Sequence, residues 1–408
     1  MQYGLSARIL LLFILGLIWT GPYGAGVDAN SGVQVLDTEV DYSFGDSIIF
    51  QATMQSDTPI EQVVVFVQAM GRLDAETIPA TISSSGEATA ELDLQQYPVR
   101  GFSEITYWYR VTLDNGEVFT SEKYHFFYED SRYDWETLET DDFTVHWYDD
   151  EVNFGQEMAN IAGSSLQRAQ TYLQVTLNET IHIYAYDNAR EMQSALQTSG
   201  QDWVAGHADP DLGVILVSLP PGPERQLEME RQIPHELMHI LMFQKTRPAY
   251  ERLPVWLNEG LASITELYPN PDYYTILKDA YEEKKLLPIT SLCQSFPQDS
   301  SRVLLAYAET ASFTRYLYNQ YGTPGLEKLI SSYADGLDCD RGAEQALGST
   351  LSQLEIQWRR EIFNQDPLIS AIENLIPWVL VLLLIIGLPL IFSLLVSRKN
   401  RSHRSTNK

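Results

Sequence analysis

The sequence predicts an α+β domain, a mixed sheet plus helices, preceded by an all-β immunoglobulin-like sandwich and followed by one transmembrane helix. Three observations in the 408 residues lead there. Residues 33–128 hold short segments of strand type separated by turn residues. From about Tyr133 two short strands give way to helical patterning almost to Phe363, and strands ahead of helices mark α+β segregation. Near the end, Leu375 to Val396 gives 22 residues without a charge.

In chain order, Arg8 precedes an apolar run of eleven residues, Ile9 to Trp19, with Gly21, Gly24, Ala25 and Gly26 after it. Residues 1–26 therefore read as a secretory signal, with an uncleaved N-terminal anchor as the alternative. Tyr23 fits the −3 position poorly for cleavage after Ala25, so the cleavage site stays open. Residues 27–130 are the expected sandwich. Its clearest strands are Ser47-Ile-Ile-Phe-Gln-Ala-Thr, Gln62-Val-Val-Val-Phe-Val-Gln, Ala88-Thr-Ala-Glu-Leu-Asp-Leu, Ile105-Thr-Tyr-Trp-Tyr-Arg-Val-Thr-Leu and Tyr124-His-Phe-Phe-Tyr. Asp114-Asn-Gly reads as a hairpin turn into Glu117-Val-Phe-Thr-Ser. About seven strands at this spacing suggest the immunoglobulin pattern. With His125 as its one histidine and no cluster of titratable groups, this part reads as a spacer or binding module.

Residues 131–366 form the expected α+β domain. Strands Trp135–Thr140 and Phe143–Trp147 lead to an amphipathic helix near Val152–Leu173. Strand Ile181–Tyr186, helix Ala189–Leu196 and strand Gly213–Ser218 follow, and the pattern after Pro223 is helical. Residues 375–397 then form the expected membrane helix. As a helix its 22 uncharged residues measure roughly 33 Å, the hydrocarbon thickness. The basic segment 398–408 stays in the cytoplasm by the positive-inside rule, which places residues 27–373 outside a single-pass cell-membrane protein.

Charge narrows the partners. There are 27 Lys+Arg against 55 Asp+Glu, a net −28. Residues 27–373 hold every acid and 21 of the basic residues, so the body carries −34. Such a surface repels phosphate backbones and argues against nucleic acid as a partner. Two cysteines exclude a disulfide framework, a four-cysteine zinc site and a ligated iron–sulfur cluster. Outside the cell Cys293 and Cys339 can form one disulfide, and two free thiols remain the alternative.

The chemistry lies between Pro234 and Glu266. His235-Glu236-Leu237-Met238-His239 is an HExxH pattern, which places two imidazoles on one helix face, within reach of a single zinc ion. Glu236 projects toward the open coordination position, where it can take a proton from water. The flanks are apolar, and a buried helix with two His and a Glu needs something to satisfy them. Leu253-Pro-Val-Trp-Leu-Asn-Glu-Gly-Leu-Ala-Ser reads as a second helix, and Glu259 completes a set of two histidines and a carboxylate. Glu266 is two turns further on, able to accept the free N–H of a ligating histidine, with an exposed helix charge as the alternative. Pro234 is awkward inside a helix, so the helix is expected to begin or kink there.

This constellation resembles the gluzincin metallopeptidases, specifically the peptidase MA-like family of bacterial membrane-associated and secreted proteins. The resemblance runs from Trp135 to Phe363. It includes Trp203-Val-Ala-Gly-His-Ala-Asp-Pro, Ala306-Tyr-Ala-Glu-Thr-Ala-Ser-Phe-Thr-Arg-Tyr-Leu and Leu354-Glu-Ile-Gln-Trp-Arg. It implies a gluzincin-like fold for the α+β domain, one Zn2+ per chain on His235, His239 and Glu259, and Glu236 as the base. Glu266 matches the position that supports a ligand in gluzincin aminopeptidases. The strand Gly213–Ser218 would be the sheet edge that pairs with an extended protein or peptide substrate. The GxMEN signature that fixes a free amine is missing, and Gly206-His-Ala-Asp-Pro stands in that region, so an endopeptidase is preferred. Tyr307 and His207 are candidates for stabilising the oxyanion. A non-catalytic scaffold that keeps the gluzincin shell, or a zinc hydrolase of non-peptide amides, is the alternative function.

Overall fold

The structure, a computed structural model, describes residues 32–148, 153–196, 206–363 and Leu375. The expected signal segment (1–26) and basic tail (398–408) lie outside these residues, as does the expected membrane helix (375–397) apart from Leu375. Two compact units divide the chain. The first runs to Tyr97 and resumes at Glu104–Phe127; the second takes Pro98–Ser103 and everything from Tyr128 onward.

The first unit is built from strands β1 (Val33–Ser43), β2 (Ser47–Ser56), β3 (Ile60–Ala69), β4 (Glu76–Ile82), β5 (Glu87–Asp93), β6 (Ser103–Leu113), β7 (Val118–Thr120) and β8 (Tyr124–Tyr128). Period-2 alternation buries Ile48, Phe50, Ala52 and Met54 of β2 and Ile105, Tyr107, Tyr109 and Val111 of β6. The expected immunoglobulin-like sandwich is corrected here. The strands form one eight-stranded sheet, in the order β1-β2-β5-β4-β3-β6-β7 with β8 also on β6, not two separate sheets. β4 makes the sheet continuous. It pairs with β3 through Glu76–Ala80 and with β5 through Thr81 and Ile82. Pro79 has no N–H to give a ladder, and the strand changes partner just after it.

In the second unit a five-stranded mixed sheet runs β12-β13-β11-β10-β9: β9 (Glu136–Glu139), β10 (Phe143–Trp147), β11 (Ile181–Tyr186), β12 (Gly206–Asp209) and β13 (Val214–Ser218). β10, β11 and β13 are mutually parallel, and the outer strands β9 and β12 run antiparallel to their neighbours. This corrects a second expectation. The segment Gly213–Ser218 is not the sheet edge; β13 lies between β11 and β12, with all five residues buried. Strands covered on both faces read as continuous apolar runs, which is how Val-Ile-Leu-Val reads.

The helices are α1 (Phe154–Tyr172), α2 (Ala189–Leu196), α3 (Arg225–Thr246), α4 (Val255–Thr265), α5 (Tyr273–Glu282), α6 (Ser300–Ala334), α7 (Cys339–Leu347) and α8 (Leu351–Ile362). Gly322, with φ 61°, interrupts α6 just ahead of Pro324. α1 buries Met158, Ala162, Leu166 and Ala169 at i, i+4 and i, i+3 spacing, and α3 buries Met229, Ile233, Leu237 and Leu241 at i, i+4 spacing. Phe313 of α6 packs 5.2 Å from Trp256 of α4 and 5.7 Å from Trp358 of α8, ring centre to ring centre. Cys293 and Cys339 are disulfide-bonded, which joins the segment ahead of α6 to the start of α7.

The expectation of membrane anchorage is corrected as well. No helix among the described residues is long and apolar enough to cross a membrane. The two longest, α3 and α6, carry charges from end to end (Arg225 to Lys245; Arg302 to Lys328), each costly in hydrocarbon. The membrane span, the single-pass orientation and the membrane as a partner are therefore not borne out among the described residues, and residues 376–397 lie outside them.

Gly260 marks where α4 meets α6. A Cβ there would stand 2.1 Å from Thr314 Oγ1 and 2.8 Å from the Thr310 carbonyl oxygen. In an open helix Gly→Ala gains about 1 kcal/mol. Here a backbone atom blocks the methyl, and overpacking costs about 1–3 kcal/mol. Gly260→Ala is therefore expected to lower the melting temperature; an increase on calorimetry would show that the helices part freely.

Glu309 on α6 is fully buried, accepts from the Leu287 amide at 2.8 Å through Oε1, and has no partner for Oε2 among the described residues. Burial pushes its carboxyl up to about 8. The folded state thus holds a proton that the unfolded state releases near pH 4.5. Stability is fully present below that pH and falls as pH rises toward 8, at a slope approaching about 1.4 kcal/mol per unit. Glu309→Gln, permanently neutral, should flatten the stability curve between pH 5 and 8. Denaturant melts across that range with the same slope as wild type would contradict a neutral Glu309.

Candidate metal centre

His235 and His239 project from one face of α3, and Glu259 comes from α4. Candidate ligand atoms of the three lie within 4.8 Å of one another. Glu259 Oε2 is 3.4 Å from His235 Nε2 and 3.8 Å from His239 Nε2. His235 turns its other nitrogen, Nδ1, to Glu266 Oε1 at 3.2 Å. Glu266 is buried at the C-terminal end of α4, so it is not an exposed helix charge.

α3 neither begins nor ends at Pro234: it starts nine residues earlier and continues through it. The proline has no N–H, so the Glu230 carbonyl loses its intrahelical donor. That oxygen accepts from the amides of Leu267 (2.8 Å) and Tyr268 (3.3 Å), the two residues after Glu266. Thr265 Oγ1 also donates to the Pro234 carbonyl at 3.2 Å. The residue that looked like a fault in the helix fastens the end of α4 to it, with Glu266 between the fastenings.

Electrostatically the site is suited to a cation. Burial works against a charge on Glu259, yet His239 and His235 hold its carboxyl below the usual carboxylate range. Burial likewise opposes a charged His235, yet Glu259 and Glu266 raise its pKa well above the ordinary value. Glu259 Oε2 and His239 Nδ1 are buried with no hydrogen-bond partner among the described residues. An orphaned carboxylate oxygen facing two ring nitrogens fits a divalent ion with a preference for N and O donors. Two histidines and a glutamate are a zinc set that leaves a position open.

Glu236 lies beside this cluster and is almost fully buried. Its carboxylate abuts Gly206 of the edge strand β12: a Cβ on Gly206 would stand 2.7 Å from Oε1 and 3.0 Å from Cγ. Tyr307 of α6 faces Glu259, with its ring 6.1 Å from that of His235. Burial, then the charges of Glu259 and Glu236, lift its pKa well above the ordinary value, so the hydroxyl stays a donor. His207 is not part of the cluster. Ala208 packs on the core, so by strand alternation His207 points to the opposite face, where its Nε2 is 3.2 Å from Asp209 Oδ1.

Sequence reasoning missed Tyr250 and Tyr273. Tyr250 Oη accepts from Asn258 Nδ2 at 2.8 Å, which gives the asparagine before Glu259 its task. Burial raises both phenols, helped by Glu259 for Tyr250 and by Glu266 for Tyr273. In a chain with 23 tyrosines no spacing singled these two out.

Comparison with known proteins gives a family. A model of the Peptidase MA superfamily matches residues 161–364, half of the chain. No curated protein matches. Among solved structures, OgpA from Akkermansia muciniphila is similar at 16% identity and TM-score 0.21, over 25% of this chain and 30% of that one. A carbohydrate-binding module of family 56, a β-1,3-glucan binding domain, is similar at 12% identity and TM-score 0.17, over 22% of this chain and 95% of that one. At these scores neither likeness bears on function. The match of residues 161–364 includes α3, α4, all of α8 and most of α1, and the protein belongs to the Peptidase MA superfamily.

Proposed function

We propose that this member of the superfamily is a zinc metallopeptidase of gluzincin type, with His235, His239 and Glu259 holding the ion. The observation that carries the reading is the convergence of these three donors with Glu236 beside them, on two helices fastened to each other. When bound, zinc supplies Lewis acidity and brings the pKa of water to about 7.

The chain's own residues do the rest. Glu236 takes the proton from the attacking water and passes it to the leaving amine. Gly206 leaves room for that carboxylate and limits where it can swing. The Tyr307 hydroxyl, kept protonated, is placed to donate to the carbonyl oxygen as it gains charge. Glu266 accepts from His235 Nδ1, which presents Nε2 to the ion. Among the described residues β12 is an edge strand with one partnered side, so an extended peptide can add to its other side by backbone pairing. Endopeptidase action is preferred, since no signature for a free amine precedes the helix.

Glu236→Gln keeps the shape and removes the base. It should retain one zinc per chain and lose at least about 10²-fold in kcat on an unfolded protein substrate. His239→Ala should lose stoichiometric zinc. Wild-type turnover in the first variant would remove Glu236 from the mechanism, and full zinc content in the second would remove His239 from the ligand set.

A further inference from the structure

Among the described residues β12 spans four positions and is hydrogen-bonded to β13 alone, yet its Gly206 sets the space left to Glu236. Such a strand needs a second hold, and Arg100 provides one. Its Nη2 donates to Asp209 Oδ1 at 2.7 Å and to Asp211 Oδ1 at 2.8 Å, and its Nη1 to Asp211 Oδ2 at 2.7 Å. The fork grips the last residue of β12 and the turn that leads into β13. His207 Nε2 shares the same oxygen of Asp209, which is buried. His207 and Asp209 alternate with Gly206 and Ala208, so the grip acts on the face of the sheet away from α3.

The loop that carries Arg100 is itself tightly fixed. Pro98–Ser103 belongs to the same compact unit as the metal centre. Phe102 sits in the left-handed region at φ 55°, which is strained for a residue other than glycine. It is buried, with its ring 4.6 Å from Tyr184 of β11, and its amide donates to the Tyr128 carbonyl at 2.7 Å. Ser103 Oγ donates to the Arg100 carbonyl at 2.6 Å. A strained residue persists where its surroundings over-determine it, and such places cluster at sites with a task. An exposed ion pair contributes little to stability. A bidentate guanidinium with a buried partner is a stronger and more directional contact.

We propose that Arg100 is a positioning residue for the peptidase reaction: its fork fixes β12 and, through Gly206, the orientation of the Glu236 carboxylate and the edge offered to the substrate. This rests on the metallopeptidase reading above. The test compares wild type, Arg100→Ala, Arg100→Lys and Asp211→Asn for zinc content, melting temperature, kcat, KM and amide exchange over residues 206–209. Arg100→Ala is expected to keep its zinc and to lose about 10- to 100-fold in kcat, the scale of a small misplacement. Exchange of those amides should rise about tenfold or more. Lysine cannot fork and should recover only part of the rate.

Wild-type kcat and exchange in Arg100→Ala would overturn the proposal. So would a lowered melting temperature with wild-type kcat per folded molecule, since that is a purely structural role. Should Arg100→Ala fail to fold, Asp211→Asn weakens the fork and leaves Asp209 in place, and the same two outcomes decide. The exchange measurement needs no turnover. If wild type binds zinc but cleaves nothing, the peptidase reading fails while exchange still reports whether Arg100 holds the strand.

Discussion

Pro234 has no amide hydrogen, and the Glu230 carbonyl that it leaves unpaired is where α3 and the end of α4 join. The geometry of the candidate metal centre depends on that junction. His235 and His239 need nothing beyond helical periodicity to share a face. Glu259 and Glu266 come from a different helix, and no local rule places them. The two amides after Glu266 bind the freed carbonyl, Gly260 lets α4 close on α6, and the Val255 amide donates to the disulfide-bonded Cys293 carbonyl at 3.0 Å. α4 is thus held near its start, at its middle and at its end.

The buried carboxylates of this unit show how environment assigns tasks to one residue type. Glu259 is held in its charged form by two imidazoles, in a place where burial alone would neutralise it. Glu309 has one backbone amide as partner and is neutral across much of the physiological range. Desolvation is the largest influence on both. The difference is whether nearby positive or donor groups outweigh it. A cluster that keeps carboxylates charged in the dry interior is suited to a cation, and this gives the zinc reading physical content beyond a motif.

The sheet was harder to read than the helices. Val214–Ser218 is the more strand-like segment beside the site, and its apolar run is the mark of a strand covered on both faces. The edge falls to Gly206–Asp209, four residues with a glycine and an aspartate, which have low strand propensity. In the first unit the strands themselves were legible from alternation. Their closure into one sheet was not, because it depends on β4 changing partners beyond Pro79.

By itself the sequence determined the strand-rich first part, the helical second part, and the pair of histidines with Glu236 between them. Each is a local pattern, fixed by a repeat of two or of 3.6 residues. Glu259 was legible because its helix carries a recognisable asparagine–glutamate–glycine run. Only the tertiary structure decided which strand forms the edge, where Tyr250 and Tyr273 stand, and that Arg100, more than a hundred residues before His235, grips the strand beside Glu236. These follow from packing between segments far apart in the chain. Sequence periodicity reports which face of an element is buried, but not what that face meets.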